Sequence, residues 1–162
     1  MRRLPFHVLT SVVLILLHTT LVPFIVIGNA IPDILLIWIV YIAITRGQIA
    51  GTLAGFLLGL TVDIISGNDG MLGLSAIAKT VAGFLAGYFY NENKTEQTLG
   101  SSGFILAVGL AAALHSAIYF LIFLRAGDVG WWQSIVLHGM PSAAYTTALA
   151  VIPMSLFRRK YR

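Results

Sequence analysis

Long apolar runs separated by short polar breaks fill the chain. The runs fall at 4–27, 31–45, 48–65, 72–90, 104–124 and 134–157. About 20 apolar residues cross a bilayer as a helix, so the pattern predicts six transmembrane helices in one domain over 1–162. The second run is short for that thickness, which predicts a steep crossing, local thinning or shelter by neighbours. The breaks carry turn residues: Gly28-Asn29-Ala30, Arg46-Gly47, the stretch 66–70, the polar loop 91–103, and 125–133 with Gly127 and Gly130. No loop is long enough to hold a soluble domain. The fold class expected is an all-α integral membrane bundle.

Composition narrows the function classes. Hydrophobic residues make up 58% of the chain and charged residues 10%, against roughly 25% charged in soluble domains. A net charge of +4 does not signal nucleic acid, because the cations gather where membrane topology places them. With six crossings, Arg2, Arg3, Arg46, Lys94, Arg158, Arg159, Lys160 and Arg162 share one side and Arg125 stands on the other. That asymmetry predicts cytoplasmic termini. Trp131 and Trp132 then belong at the outer interface, where indole rings settle. Arg2 and Arg3 before an apolar run imitate a signal peptide, but the run exceeds the usual h-region of about 7–15 residues, so a retained first span is expected. The basic end from Arg158 should lie against anionic cytoplasmic lipid.

One stretch stands out. Gly47, Gly51, Gly55 and Gly59 recur every four residues, and Asp63 continues the spacing. At 3.6 residues per turn these form a slowly drifting stripe almost without side chains. Gly83 and Gly87 continue likewise from Lys79. Small-residue stripes let helix backbones approach in lipid, so both are expected to face protein, as helix packing or a groove for a partner. Asp63 and Lys79 sit on neighbouring antiparallel runs. An intramembrane charge needs a partner, and the pair is expected to meet as an ion pair or as the polar floor of a cavity. Asp33, after Pro32, suits a helix N-terminus; the two are also candidates for contact with a partner at the outer face.

Catalytic patterns are missing. His7, His18, His115 and His138 show neither i, i+4 pairing nor an HExxH motif, and no GxSxG or Walker loop occurs. With no cysteine, thiolate metal sites and nucleophiles are excluded. No enzyme activity, cofactor or metal is expected. His18 and His115 lie within spans and should face protein or a cavity. Pro141 and Pro153 should kink the sixth span.

The segment from Pro32 to Gly87 resembles the bacterial rod shape-determining protein family MreD. The matching residues are Pro32-Asp33-Ile34-Leu35-Leu36, Tyr41, Arg46-Gly47 and Gly51, then Gly55-Phe56-Leu57-Leu58-Gly59-Leu60 and Asp63-Ile64-Ile65-Ser66-Gly67. Leu72-Gly73-Leu74-Ser75-Ala76 and Val81-Ala82-Gly83-Phe84-Leu85-Ala86-Gly87 close the match. Lys79 departs from the apolar residues of many members there. The resemblance implies a non-enzymatic inner-membrane subunit of the cell-elongation complex. It implies binding to the single-span protein MreC and, indirectly, links to MreB filaments and to the glycosyltransferase and transpeptidase that extend peptidoglycan. It also implies a fold resembling the six-helix substrate-binding subunits of energy-coupling-factor transporters. The alternative function is a small-molecule-binding subunit of a vitamin transporter, with a pocket around Asp63, Lys79 and His115.

Overall fold

A computed structural model describes residues 4–67, 72–123 and 131–160. Residues 68–70 of the expected break 66–70, residues 125–130 of the expected break 125–133, and Arg2, Arg3 and Arg162 lie outside the described residues, while 131–133 are helical rather than part of a loop. Helices run from Leu4–Leu21 (α1), Ile34–Arg46 (α2), Gln48–Ser66 (α3), Leu74–Ala86 (α4), the short Thr95–Leu99 (α5) and Ser102–Phe123 (α6). The last helical stretch is built of Trp131–Ser134 (α7), a π-helical turn Ile135–Gly139, Met140–Leu149 (α8) and Val151–Lys160 (α9). Four helical segments among the described residues are long and apolar enough to cross a membrane: 6–24, 48–66, 102–122 and 135–159. The stretches 34–46 and 74–89 are apolar but shorter.

The interruptions have local causes. Gly47 adopts φ +89° between α2 and α3, a conformation that a side chain disfavours. It therefore serves as the turn glycine rather than as a rung of the stripe. The π turn directly precedes Met140-Pro141; proline has no N–H to continue the α ladder, and a π turn absorbs the mismatch. The chain breaks again at Ala150, placing Pro153 in the first turn of α9, where a missing N–H costs little.

The core lies between α2, α4, α6 and the C-terminal helices. Leu36, Val40, Ala43 and Ile44 of α2 meet Ala82 and Ala86 of α4 and Phe104, Val108 and Ala111 of α6, with Ala150 completing the cluster. Trp38, Tyr41 and Phe157 stack in a row at 5.0 and 5.4 Å between ring centroids, joining α2 to α9. The Trp38 indole N–H donates to Ser11 Oγ at 2.9 Å, which ties α1 to the same row. Outward faces carry Leu9, Leu16, Ile49, Leu53, Phe56, Leu106 and Leu110. Such an apolar coat suits hydrocarbon surroundings. Trp132 is exposed as well, at 64%.

The tightest pairing is α3 against α4, and glycine makes it possible. A Cβ at Gly51 would lie 2.7 Å from the Gly83 carbonyl oxygen, and one at Gly59 would lie 2.6 Å from that of Ser75. At Gly55 a Cβ would collide with the Lys79 carbonyl, and at Gly87 with Gln48. Backbone meets backbone along the whole seam. The expected stripe faces protein, and that protein is the chain's own α4. It therefore leaves no groove there for a partner's helix.

Candidate functional site

The seam fixes the register of the hairpin. Gly51 opposes Gly83, Gly55 opposes Lys79, and Gly59 opposes Ala76. The same register carries Asp63 past the beginning of α4. Lys79 lies about eight residues further along, or about 12 Å at ~1.5 Å per residue. The expected Asp63–Lys79 pair therefore does not form. Asp63 is buried and caps α4 instead. Its Oδ2 accepts from the backbone N–H of Gly73 at 3.1 Å and Ala76 at 3.0 Å, and its Oδ1 from Ser75 at 3.1 Å. Unpaired amides at a helix N-terminus are where a carboxylate is stabilised. Asp63→Ala is expected to lower stability by about 1–3 kcal/mol, as for buried donors left without a partner. Asp63→Asn, which keeps a carbonyl acceptor, should lose less. Thermal unfolding of the purified protein in detergent checks both.

Because the Lys79 carbonyl faces α3, its side chain is directed away from the seam. It forms an ion pair and hydrogen bond with Asp33 Oδ2. Lys79 Nζ also lies 3.3 Å from His115 Nε2 on α6, a hydrogen bond in the tautomer whose proton is on Nδ1. Asp33 Oδ1 accepts from the Leu36 N–H at 3.0 Å, capping α2, and stands 3.9 Å from His18 Nδ1 of α1. The cap expected of Asp33 is present. Pro32 is fully buried and Asp33 turns into the bundle, so neither presents a surface to an outer-face partner.

The segment carrying Asp33 is held from the far end of the chain. Ile31 N–H donates to Ser142 Oγ and Asp33 N–H to Thr146 Oγ1, each at 3.0 Å. Ser142 and Thr146 are four residues apart on α8 and share a face. Around the ion pair lies a cavity of about 230 Å³. Its wall includes His18, Ser75 and Ser116, with Tyr119 and Phe120 on one side and Ile31 and Ser66 at the rim. No group of three or more His, Cys, Asp or Glu among the described residues is arranged to hold a metal ion. Sequence reasoning placed Lys79 and His115 near a pocket but gave the lysine the wrong acid. The register implied by pairing small residues across the hairpin was the signal available. The hydroxyls of Ser75, Ser142 and Thr146 had no signal beyond helical spacing.

A second polar recess at the other end of the bundle joins His7 to Arg46, at 3.1 Å between Nε2 and the guanidinium, beside Glu92 and Glu96.

The family model for the rod shape-determining protein MreD matches residues 1–161. The chain belongs to the MreD family. Neither a curated protein nor a solved structure matches it. The match takes in α1, α6 and the C-terminal helices as well as the segment 32–87 that carries the motif resemblance. Membership in the MreD family, with four apolar helices of membrane-crossing length, makes this a rod shape-determining membrane protein. Asp33 and Lys79 lie within the segment 32–87, while the cavity wall also draws on α1, α6 and α8 through His18, Ser116 and Thr146.

Proposed function

We propose that the chain is a non-enzymatic, six-crossing inner-membrane subunit of the cell-elongation complex that binds MreC and, through it, regulates peptidoglycan synthesis. The family match over residues 1–161 carries this reading. On it, α2 and α4 are the short crossings, sheltered on both sides by longer helices. The bundle follows the plan of the substrate-binding subunits of energy-coupling-factor transporters, and both termini are cytoplasmic. The lysine and arginine asymmetry supports that orientation. The Asp33–Lys79 pair then lies toward the outer end and the Arg46–His7 recess toward the cytoplasm. Since α4 fills the glycine seam, MreC meets an outward apolar face, where helix packing and a few polar contacts suffice for association. MreB filaments, the glycosyltransferase and the transpeptidase are reached indirectly.

Co-purification from native membranes in mild detergent tests the proposal. MreC is expected among the companion chains. Recovery of transporter components with no MreC would refute it. Reporter fusions at the C-terminus and within 124–130 test the orientation, with activity expected from a cytoplasmic reporter only at the first.

A further inference from the structure

We propose that the cavity beside the Asp33–Lys79 pair is a binding site for a small uncharged molecule that hydrogen-bonds through a carbonyl, amide or hydroxyl group. Two hydroxyls point to a ligand. Ser75 and Ser116 are only 6% and 8% exposed, come from different helices and line the same cavity. Neither side-chain oxygen is hydrogen-bonded within the described residues, and on the same wall His18 Nδ1 is buried without a hydrogen-bond partner among them, although buried polar groups in proteins are nearly always satisfied. By contrast, Thr146 Oγ1 both accepts from Asp33 N–H and donates to the Ser142 carbonyl oxygen, so it is committed to holding the fold. Ser75 and Ser116 are not.

Size and charge define the ligand class. A volume of 230 Å³ is below the roughly 300–1,000 Å³ of sites for drug-sized ligands. It is still ample for several waters at ~30 Å³ each, so a molecule of a few heavy atoms fits. The cavity's carboxylate and ammonium are bound to each other. An incoming anion would meet Asp33, and an incoming cation would meet Lys79. Either would surrender its own hydration without gaining an unpaired counter-charge. A neutral group escapes that penalty. It accepts from the Ser75 and Ser116 hydroxyls and rests its apolar side on Tyr119. The floor is closed, with Lys79 3% exposed, while Ile31 at the rim is 54% exposed. The ligand therefore enters past Ile31. None of this depends on which way the helices run through the membrane.

The chain's lack of cysteine makes the test direct. Ser116→Cys places a single thiol in the cavity, and Leu110→Cys places one on the outward face of the same helix. Each variant is reconstituted in lipid nanodiscs. It is treated with neutral hydroxyethyl, anionic sulfonatoethyl or cationic trimethylammonioethyl methanethiosulfonate. A thiol must ionise to react. The neutral reagent is therefore expected to modify Ser116→Cys about tenfold faster than Leu110→Cys, and about tenfold faster than either ion does. Acetamide, a neutral amide, should slow labelling of Ser116→Cys saturably and leave Glu92→Cys, at the opposite end, unaffected. If Ser116→Cys fails to assemble, Ser75→Cys is expected to show the same order of rates. Labelling no faster than at Leu110→Cys, a charged reagent reacting as fast as the neutral one, or no saturable protection would each overturn the proposal.

Discussion

Gly55→Ala is expected to break the α3–α4 pair. The added methyl would lie 2.7 Å from the Lys79 carbonyl carbon. Inserting methylenes into a packed core costs about 1–3 kcal/mol when neighbouring side chains shift. Here the obstacle is backbone on the opposing helix, which has no rotamer to change, so a loss at or above about 3 kcal/mol follows. Two helices would have to separate along their whole contact, because the register repeats at Gly51, Gly59 and Gly83. Thermal unfolding in detergent measures the effect, and a fall in recovered monodisperse protein should accompany it. Leu53→Ala, on the exposed face of the same helix, serves as the control and should remain within about 0.5 kcal/mol of the parent. A melting temperature for Gly55→Ala equal to that of the parent would show that the seam does not hold the fold.

Lys79→Met should be nearly as damaging, for an electrostatic reason. It leaves the Asp33 carboxylate turned into the bundle with no cation. Removing one member of a buried pair typically costs about 3–5 kcal/mol, whereas replacing both by uncharged residues is often neutral. The double variant Asp33→Asn/Lys79→Met is therefore expected to recover most of the loss. A double-mutant cycle on unfolding midpoints should give strong coupling between Asp33 and Lys79. The matching cycle for Asp63 and Lys79 should give coupling near zero, since Asp63 spends its oxygens on the amides of Gly73, Ser75 and Ala76. Strong coupling in the second cycle and none in the first would reverse the assignment.

Features that depend on local spacing were legible in the sequence. Glycines every four residues predicted a backbone-to-backbone seam, and Gly51, Gly55 and Gly59 form one. Asp33 after Pro32 predicted a helix cap, and it caps α2. What failed was distance along an antiparallel pair. Asp63 and Lys79 lie similarly near the same turn when counted from the loop. The true alignment is set by which glycines meet, and that shifts the lysine two turns away from the aspartate. The partner of Lys79 comes from α2, a third helix whose placement no hairpin argument contains. Pro32 and Asp33 were expected at a surface because they begin a helix. Pro32 is buried and Asp33 is turned inward because Ser142 and Thr146, more than a hundred residues later, bond the backbone N–H groups of Ile31 and Asp33. The stack of Trp38, Tyr41 and Phe157 was equally out of reach, since aromatic residues at these spacings fit lipid or protein equally well.

Those last bonds carry an implication for biogenesis. Ile31 and Asp33 leave the ribosome early, yet the side chains that fasten them belong to α8, and Phe157 closes the aromatic row from α9. Until the final stretch has been inserted, the lysine's counter-ion hangs on an untethered strand and the cavity lacks one wall. A chain lacking α8 would leave the Ile31 and Asp33 backbone N–H groups without Ser142 and Thr146 and the ion pair less shielded.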